Sequence, residues 1–223
     1  MIIDIFPHIV TPKYKKALLS KLPNTYQETT WYKYLNMLTS LSDLDSRLRI
    51  MDKHEGYVQV LNISLPALET LLGVADTIEL TRMANDEMAE LVAKYPDRFV
   101  AAAAVLPLMH MDEALKELDR AINQLKLRGM LIRHPVNGKP LDSPEFWPLY
   151  DRMSQYDLPI FLHPVREIDF ADYPILGKSK YDIFRTFGLP YETTVTMSHI
   201  VFGGVLQKYP DLKFVIRHLV AKL

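Results

Sequence analysis

Six short apolar runs alternate along the chain with segments of mixed polarity. Each run is nearly continuous rather than alternating, which is typical of strands that are covered on both faces. We therefore predict six strands, at residues 2–6, 57–63, 99–105, 129–133, 159–163 and 213–217.

The segments between the runs have the periodicity of amphipathic helices. In residues 112–124, Ala114, Leu118 and Ala121 fall on one face, and acidic residues occupy the first turn, where the helix dipole favours them. The same periodicity predicts further helices at residues 76–94, 143–156 and 191–208, and shorter ones at 12–22 and 42–54.

Two connections from a predicted helix to a predicted strand have the same sequence. Lys-Tyr-Pro-Asp occurs at residues 94–97 and again at 208–211. Proline cannot continue a helix, and aspartate is favoured in a tight turn. We interpret both as helix-to-strand junctions in a series of βα units.

A length of 223 residues fits a single large α/β domain or two small ones, and the pattern supplies six βα units. A (β/α)8 barrel typically has about 250 residues. The pattern leaves two architectures open, an open doubly wound sheet and a barrel that lacks its last two units. Residues 170–189 have no clear periodicity and predict a loop over the edge where the strands end.

Four of the six apolar runs lead into a histidine, although the chain has only seven histidines. These residues are His8, His134, His163 and His218. The carboxyl ends of parallel strands meet at one edge of a sheet, where active sites are built. His8, His163 and His218 are the stronger candidates, because His134 lies in a turn that needs polar residues. Two imidazoles, a carboxylate and an open position would suit zinc or a similar divalent ion.

Composition excludes several other kinds of site. The formal net charge is −1 and no basic block is present, so a nucleic-acid or anionic-membrane surface is not expected. The chain has no cysteine, which excludes disulfides, thiolate zinc sites and cysteine nucleophiles. No basic leader and no run of about 18 apolar residues is present, which predicts a cytoplasmic protein.

Three segments resemble the amidohydrolase-related superfamily, in its branch of metal-dependent decarboxylases and hydrolases that includes aminocarboxymuconate-semialdehyde and resorcylate decarboxylases. They are residues 138–150, 158–164, and 190–194 with 202–205. The resemblance implies a TIM-barrel-like (β/α)8 domain over residues 1–223, which favours the barrel. It also implies a divalent metal, zinc or alternatively manganese, and a homodimer.

The resemblance further implies roles for individual residues. His8 and His163 match two metal ligands, and His218 matches the catalytic histidine that follows strand six. The implied reaction is the non-oxidative decarboxylation, or a related hydrolysis, of a small substrate that bears a carboxylate. A basic residue would anchor a second anionic group of that substrate. Arg47 and Arg49 are the candidates, and the alternative is that both are charges on a helix surface.

Three positions depart from the family pattern. Phe6 occupies the other first-strand ligand position and cannot bind a metal. Val220 and Ala221 stand where glycines are expected after His218. The metal-binding aspartate of strand eight would lie beyond Leu223. We therefore expect a C-terminally truncated barrel with about six βα units, whose metal site is weak and whose activity by itself is low.

Two hypotheses follow from these departures. The first is that His134 lies close enough to the metal to compensate in part for Phe6. Alternatively, the chain is a catalytically silent, metal-poor relative that acts as a binding or structural domain.

Overall fold

The computed structural model of this chain describes residues 1–63 and 66–218. Its internal contacts divide the chain into two compact units, Met1–Met130 and Leu131–Leu223. The expected single barrel domain over residues 1–223 stays a prediction.

The first unit contains a parallel sheet centred on β3 (Tyr57–Ile63). This strand pairs with three others, which are β1 (Ile2–Asp4), β2 (His8–Ile9) and β4 (Phe99–Ala102). The predicted boundaries of β3 match the structure, and the predicted strand at residues 99–105 is shorter than expected.

The predicted first strand is divided into β1 and β2. Asp4 pairs with Gln59 and His8 pairs with Asn62, so three residues of the first strand lie opposite two residues of β3. Such an extra residue makes a bulge, which interrupts the ladder and redirects the strand. Pro7 contributes to the interruption because it has no N–H to donate.

The first strand is also more exposed than predicted. The side chains of Ile2, Ile3 and Ile5 are 60%, 48% and 42% exposed, respectively. In the part of the chain that the structure describes, β1 pairs with β3 alone. The expectation that this strand is covered on both faces is therefore wrong, because Ile2 and Ile3, whose side chains point to opposite faces, are both exposed.

Among the described residues of the first unit, six segments form α-helices. They are α1 (Pro12–Lys21), α2 (Thr30–Met37), α3 (Leu44–Met51), α4 (Leu68–Leu71), α5 (Val74–Lys94) and α6 (Met111–Asn123). The periodicity predicted α1, α3, α5 and α6 to within a few residues. It missed α2, whose aromatic residues have modest helix propensity, and α4, which has only four residues.

A buried polar network ties α5 to the end of β4 and to α6. The Asn85 side chain accepts from the Val105 N–H and donates to the Val105 carbonyl, both at 2.9 Å. Its amide also donates to a Glu117 carboxylate oxygen at 2.7 Å. The same carboxylate accepts from Arg120. Because the charge on Glu117 is buried, these donors stabilise it in place of water.

The second unit contains a three-stranded sheet in the order β5 (Met130–His134), β6 (Ile160–Pro164), β7 (Phe214–Ile216). β6 and β7 are parallel, with Ile160 opposite Phe214 and Leu162 opposite Ile216. Each of these strands agrees with a predicted one to within one or two residues.

Four helices complete the second unit, which are α7 (Trp147–Tyr156), α8 (Ile183–Thr186), α9 (Gly188–Phe202) and α10 (Val205–Lys208). The single helix predicted at residues 191–208 is divided, because Gly203 and Gly204 end α9 and Gly204 has a φ of +82°. The loop predicted at residues 170–189 contains α8 and the first residues of α9.

The two Lys-Tyr-Pro-Asp junctions have nearly the same geometry. Tyr95 follows α5 with φ −129° and ψ 58°, and Tyr209 follows α10 with φ −125° and ψ 71°. Each tyrosine N–H donates to the carbonyl four residues earlier. The proline then ends the helix, and β4 or β7 begins within a few residues. The interpretation as repeated junctions is confirmed.

Replacing Asn85 by leucine should lower the free energy of unfolding by about 2–4 kcal/mol, because Val105 and Glu117 would lose partners in a buried site. Urea denaturation followed by circular dichroism measures the change. Asn36→Leu makes the same substitution at an exposed helical site and serves as the control. Equal stability of the two variants would contradict this account of the network.

Candidate functional site

In the first unit, side-chain hydrogen bonds fix the bulge that precedes His8. The Asn62 amide donates to the carbonyls of Ile5 and Val60, each at 2.8 Å. The Phe6 N–H donates to an Asp4 carboxylate oxygen at 3.0 Å. His8 is half-buried at the start of β2. The backbone around it is therefore held by side chains rather than by a continuous strand ladder.

Arg47 lies under this segment and is 6% exposed. Its guanidinium donates to Gln59 Oε1 at 2.8 Å, to the Ser40 carbonyl at 3.1 Å and to the His8 carbonyl. Arg49, by contrast, is exposed on α3. All three guanidinium nitrogens of Arg47 thus donate to protein acceptors, and the anchoring of a substrate anion by Arg47 or Arg49 stays a prediction.

In the second unit, His163 and His218 lie side by side. Their ring centroids are 5.6 Å apart and the ring planes meet at 82°. His163 lies in β6, and His218 follows the parallel strand β7. The two half-buried imidazoles therefore emerge together because their strands end at the same edge.

The tautomer of His163 follows from its hydrogen bond. Nδ1 lies 2.7 Å from the Pro164 carbonyl oxygen, which can only accept, so Nδ1 carries the proton. The lone pair is then on Nε2. Metal-binding histidines commonly have this arrangement, in which one ring nitrogen donates to a carbonyl and the other binds the ion.

The neighbours of His218 hold its backbone and disfavour its charged form. Thr193 Oγ1 donates to the Arg217 carbonyl at 3.0 Å and so ties α9 to the residue before His218. Burial lowers the pKa of His218, and the positive charges of Arg217 and Arg185 lower it further.

His134 is completely buried at the end of β5. Its Nδ1 lies 2.8 Å from Thr196 Oγ1 in α9. Nε2 is buried and has no hydrogen-bond partner among the residues described. Burial lowers the pKa of His134 to about 4, and the charge of Arg133 contributes to the shift. The imidazole is therefore neutral at physiological pH.

Sequence reasoning missed a second cluster beside β6. Arg166 forms a 2.5 Å ion pair with Glu192 and lies over the rings of Phe170 and Tyr191, at 5.0 and 5.6 Å from their centroids. A side chain at Gly188 would clash with Arg166. The available signal was an arginine three residues after a strand-end histidine.

The remaining three histidines are His54, His110 and His199. His54 is exposed near the end of α3, and His110 immediately precedes α6. His199 is exposed on α9, and its Nδ1 lies 3.1 Å from an Asp142 carboxylate oxygen. Val220 and Ala221, which depart from the family pattern, lie outside the described residues.

The fit of the donor set to a metal ion is limited by the number of ligands. Imidazole nitrogen suits divalent transition metals, and His163 has the orientation of a metal ligand. Across residues 1–63 and 66–218, however, no group of three or more His, Cys, Asp or Glu side chains could hold an ion. The described residues therefore do not form a closed metal site of three or more protein ligands.

No helix within the described ranges is both long and apolar enough to cross a membrane.

Comparison with known proteins supports the resemblance seen in the sequence. The family model described as Amidohydrolase matches residues 39–220. A gamma-resorcylate decarboxylase from Rhizobium sp. (strain MTP-10005) is 29% identical over 218 residues, which cover 95% of this chain. The chain spans 64% of the length of that relative.

Two solved structures have the same fold. A 2,6-dihydroxybenzoate decarboxylase from Rhizobium superimposes with a TM-score of 0.75 and 28% identity, over 97% of this chain and 66% of its own. A dihydroxybenzoic acid decarboxylase from Polaromonas sp. JS666, with bound manganese and the inhibitor 2-nitroresorcinol, has a TM-score of 0.71 and 25% identity. That match covers 96% of this chain and 64% of the other. The predicted TIM-barrel-like α/β fold with about six βα units is confirmed.

The depressed pKa of His134 should make stability depend on pH. The folded pKa of about 4 lies below the unfolded value of 6.5, so the unfolded state takes up a proton first as the pH falls. The free energy of unfolding should therefore fall by about 3 kcal/mol from this group between pH 6.5 and pH 4. In His134→Gln that part of the pH dependence should disappear. Urea denaturation across this range tests it, and equal slopes in the two proteins would refute it.

Proposed function

This chain belongs to the amidohydrolase family, and on that basis we propose that it catalyses the non-oxidative decarboxylation of a small aromatic carboxylate. The relatives that carry decarboxylase names favour this reaction over the hydrolysis that the sequence left open. The substrate class is proposed from the 2,6-dihydroxybenzoate named for a relative. A cytoplasmic location and a homodimer stay predictions.

The observation that carries the proposal is the pair of adjacent imidazoles in the second unit. His163 has the tautomer of a metal ligand, and the ring of His218 lies 5.6 Å from it. A metal ion bound by one imidazole can bind a substrate, and a second imidazole beside it can transfer a proton to or from that substrate.

We assign His8 and His163 as the residues that would hold a divalent ion, because these two positions match metal ligands of the family that the sequence resembles. The bound manganese of the Polaromonas relative supports manganese beside the zinc expected from the sequence. Such an ion would supply positive charge that binds the substrate carboxylate and stabilises charge as the carbon–carbon bond breaks.

His218 is the residue to which we assign proton transfer. When carbon dioxide leaves, the electron pair of the broken bond stays on the ring carbon, which must then take up a proton. An imidazole can carry that proton at physiological pH. The hydrogen bond from Thr193 to the Arg217 carbonyl holds the backbone next to His218, so the ring is attached to a supported segment.

A metal-poor, silent relative is the second candidate function. Phe6 occupies a ligand position of the family pattern, and no group of three ligands occurs within residues 1–63 and 66–218. Both observations favour a binding or structural domain. Metal analysis of the purified chain separates the two functions, because stoichiometric zinc or manganese supports the enzyme and its absence supports the silent domain.

His163→Ala should lower turnover of 2,6-dihydroxybenzoate about a hundredfold or more, since it removes a proposed ligand together with its oriented lone pair. Loss of substrate absorbance with manganese present measures the rate. His199→Ala removes an exposed imidazole from α9 and is the matched control. Activity of His163→Ala equal to that of the control would refute the assignment.

Two substitutions test whether Phe6 limits metal binding and whether His134 compensates. Phe6→His should tighten manganese binding at least about tenfold, since it restores an imidazole at a ligand position.

His134→Ala should weaken manganese binding if His134 lies near the ion. A titration followed by electron paramagnetic resonance of free manganese measures both. Unchanged affinity in His134→Ala would remove His134 from the site.

A further inference from the structure

A relay of hydrogen bonds runs beneath the first strand from Asp4 to the backbone of His8. The Tyr57 hydroxyl donates to an Asp4 carboxylate oxygen at 2.6 Å, and the Gln59 amide donates to the Tyr57 oxygen at 3.1 Å. Gln59 Oε1 accepts from Arg47 at 2.8 Å, and Arg47 also donates to the His8 carbonyl. The relay thus joins β1, β3 and α3 to the first residue of β2.

We propose that Arg47 is a positioning residue for His8, which it holds through the His8 carbonyl while the Asp4–Tyr57–Gln59 relay fixes the guanidinium. The proposal rests on the proposed function only where it treats His8 as a metal ligand. The effect on the conformation of His8 follows from the contacts alone.

The geometry of the guanidinium makes this role specific to arginine. Its three nitrogens point to three different acceptors, which are Ser40 O, Gln59 Oε1 and His8 O. A planar fork can satisfy these acceptors together, whereas a lysine ammonium on a flexible stem cannot. Because Arg47 is only 6% exposed, water cannot easily replace a lost contact without rearrangement.

Charge also binds the relay together. Burial lowers the pKa of Arg47 to about 10, while Tyr57 and Asp4 raise it, so the guanidinium stays charged at neutral pH. A buried cation needs hydrogen-bonded partners. The His8 carbonyl is one of those partners. The hydrogen bond that stabilises the buried charge of Arg47 therefore also restrains the backbone of His8.

The bulge explains why His8 needs this restraint. Residues 5–7 interrupt the pairing of the first strand with β3, and Pro7 has no N–H to donate. A cavity of about 530 Å³ lies beside the segment, lined in part by Pro7, His8, Arg47 and Met51. The contact from Arg47 therefore adds a restraint on the side of His8 that borders the cavity.

Arg47→Lys is the test variant, and Arg128→Lys makes the same change at an exposed site of the same unit. Two properties are measured on the full chain, which are manganese affinity and the ¹H–¹⁵N signals of the His8 imidazole without metal, assigned with His8→Gln. We expect Arg47→Lys to shift the His8 signals and to weaken manganese binding about tenfold or more. Arg128→Lys should stay within about twofold of the wild type.

Tyr57→Phe keeps the proposal testable if Arg47→Lys does not fold, since it removes only the hydroxyl that links Asp4 to Gln59. It should shift the His8 signals in the same direction by a smaller amount. If Arg47→Lys folds and its His8 signals do not move, the positioning role is wrong. If only Tyr57→Phe folds, unmoved His8 signals in that variant lead to the same conclusion. A wild-type chain that binds no manganese would instead contradict the proposed function, and the imidazole signals would still decide the role of Arg47.

Discussion

The parallel pairing of β6 with β7 is the constraint on which the candidate site depends. Leu162 lies opposite Ile216, so the residues that follow the two strands leave the sheet at the same edge. His163 lies in β6, and His218 comes two residues after the end of β7, where its φ of +58° turns the backbone out of the extended conformation. The ring centroids of the two histidines lie 5.6 Å apart at this edge.

His8 is positioned differently, because it follows a bulge that interrupts the pairing of the first strand with β3. The bulge at residues 5–7 removes ladder hydrogen bonds, and buried side chains replace them. Asn62 holds the carbonyl of Ile5, and Arg47 holds the carbonyl of His8. The chain therefore uses polar groups inside the first unit to position a residue that, in the proposed function, faces the reaction.

Local signals predicted much of the secondary structure. The apolar run at Tyr57–Ile63 and both Lys-Tyr-Pro-Asp junctions agree with the structure, since strand length, proline and turn residues act over a few positions. The helix predicted at residues 191–208 is divided at Gly203 and Gly204. The prediction missed this break because it used hydrophobic periodicity alone and did not consider that glycine destabilises a helix. The bulge after Asp4 was missed, because it depends on pairing with a strand more than fifty residues away.

The sequence by itself determined the alternation of strands and helices, the histidines that follow strands, and the resemblance to amidohydrolases. Each of these depends on residues that are close together in the chain. Only the tertiary structure decided that Arg47 turns inward to the His8 carbonyl and that His134 is fully buried against Thr196. These contacts join residues 39 and 62 positions apart. Burial and partner choice at such separations depend on how whole elements pack, which no local pattern of residues records.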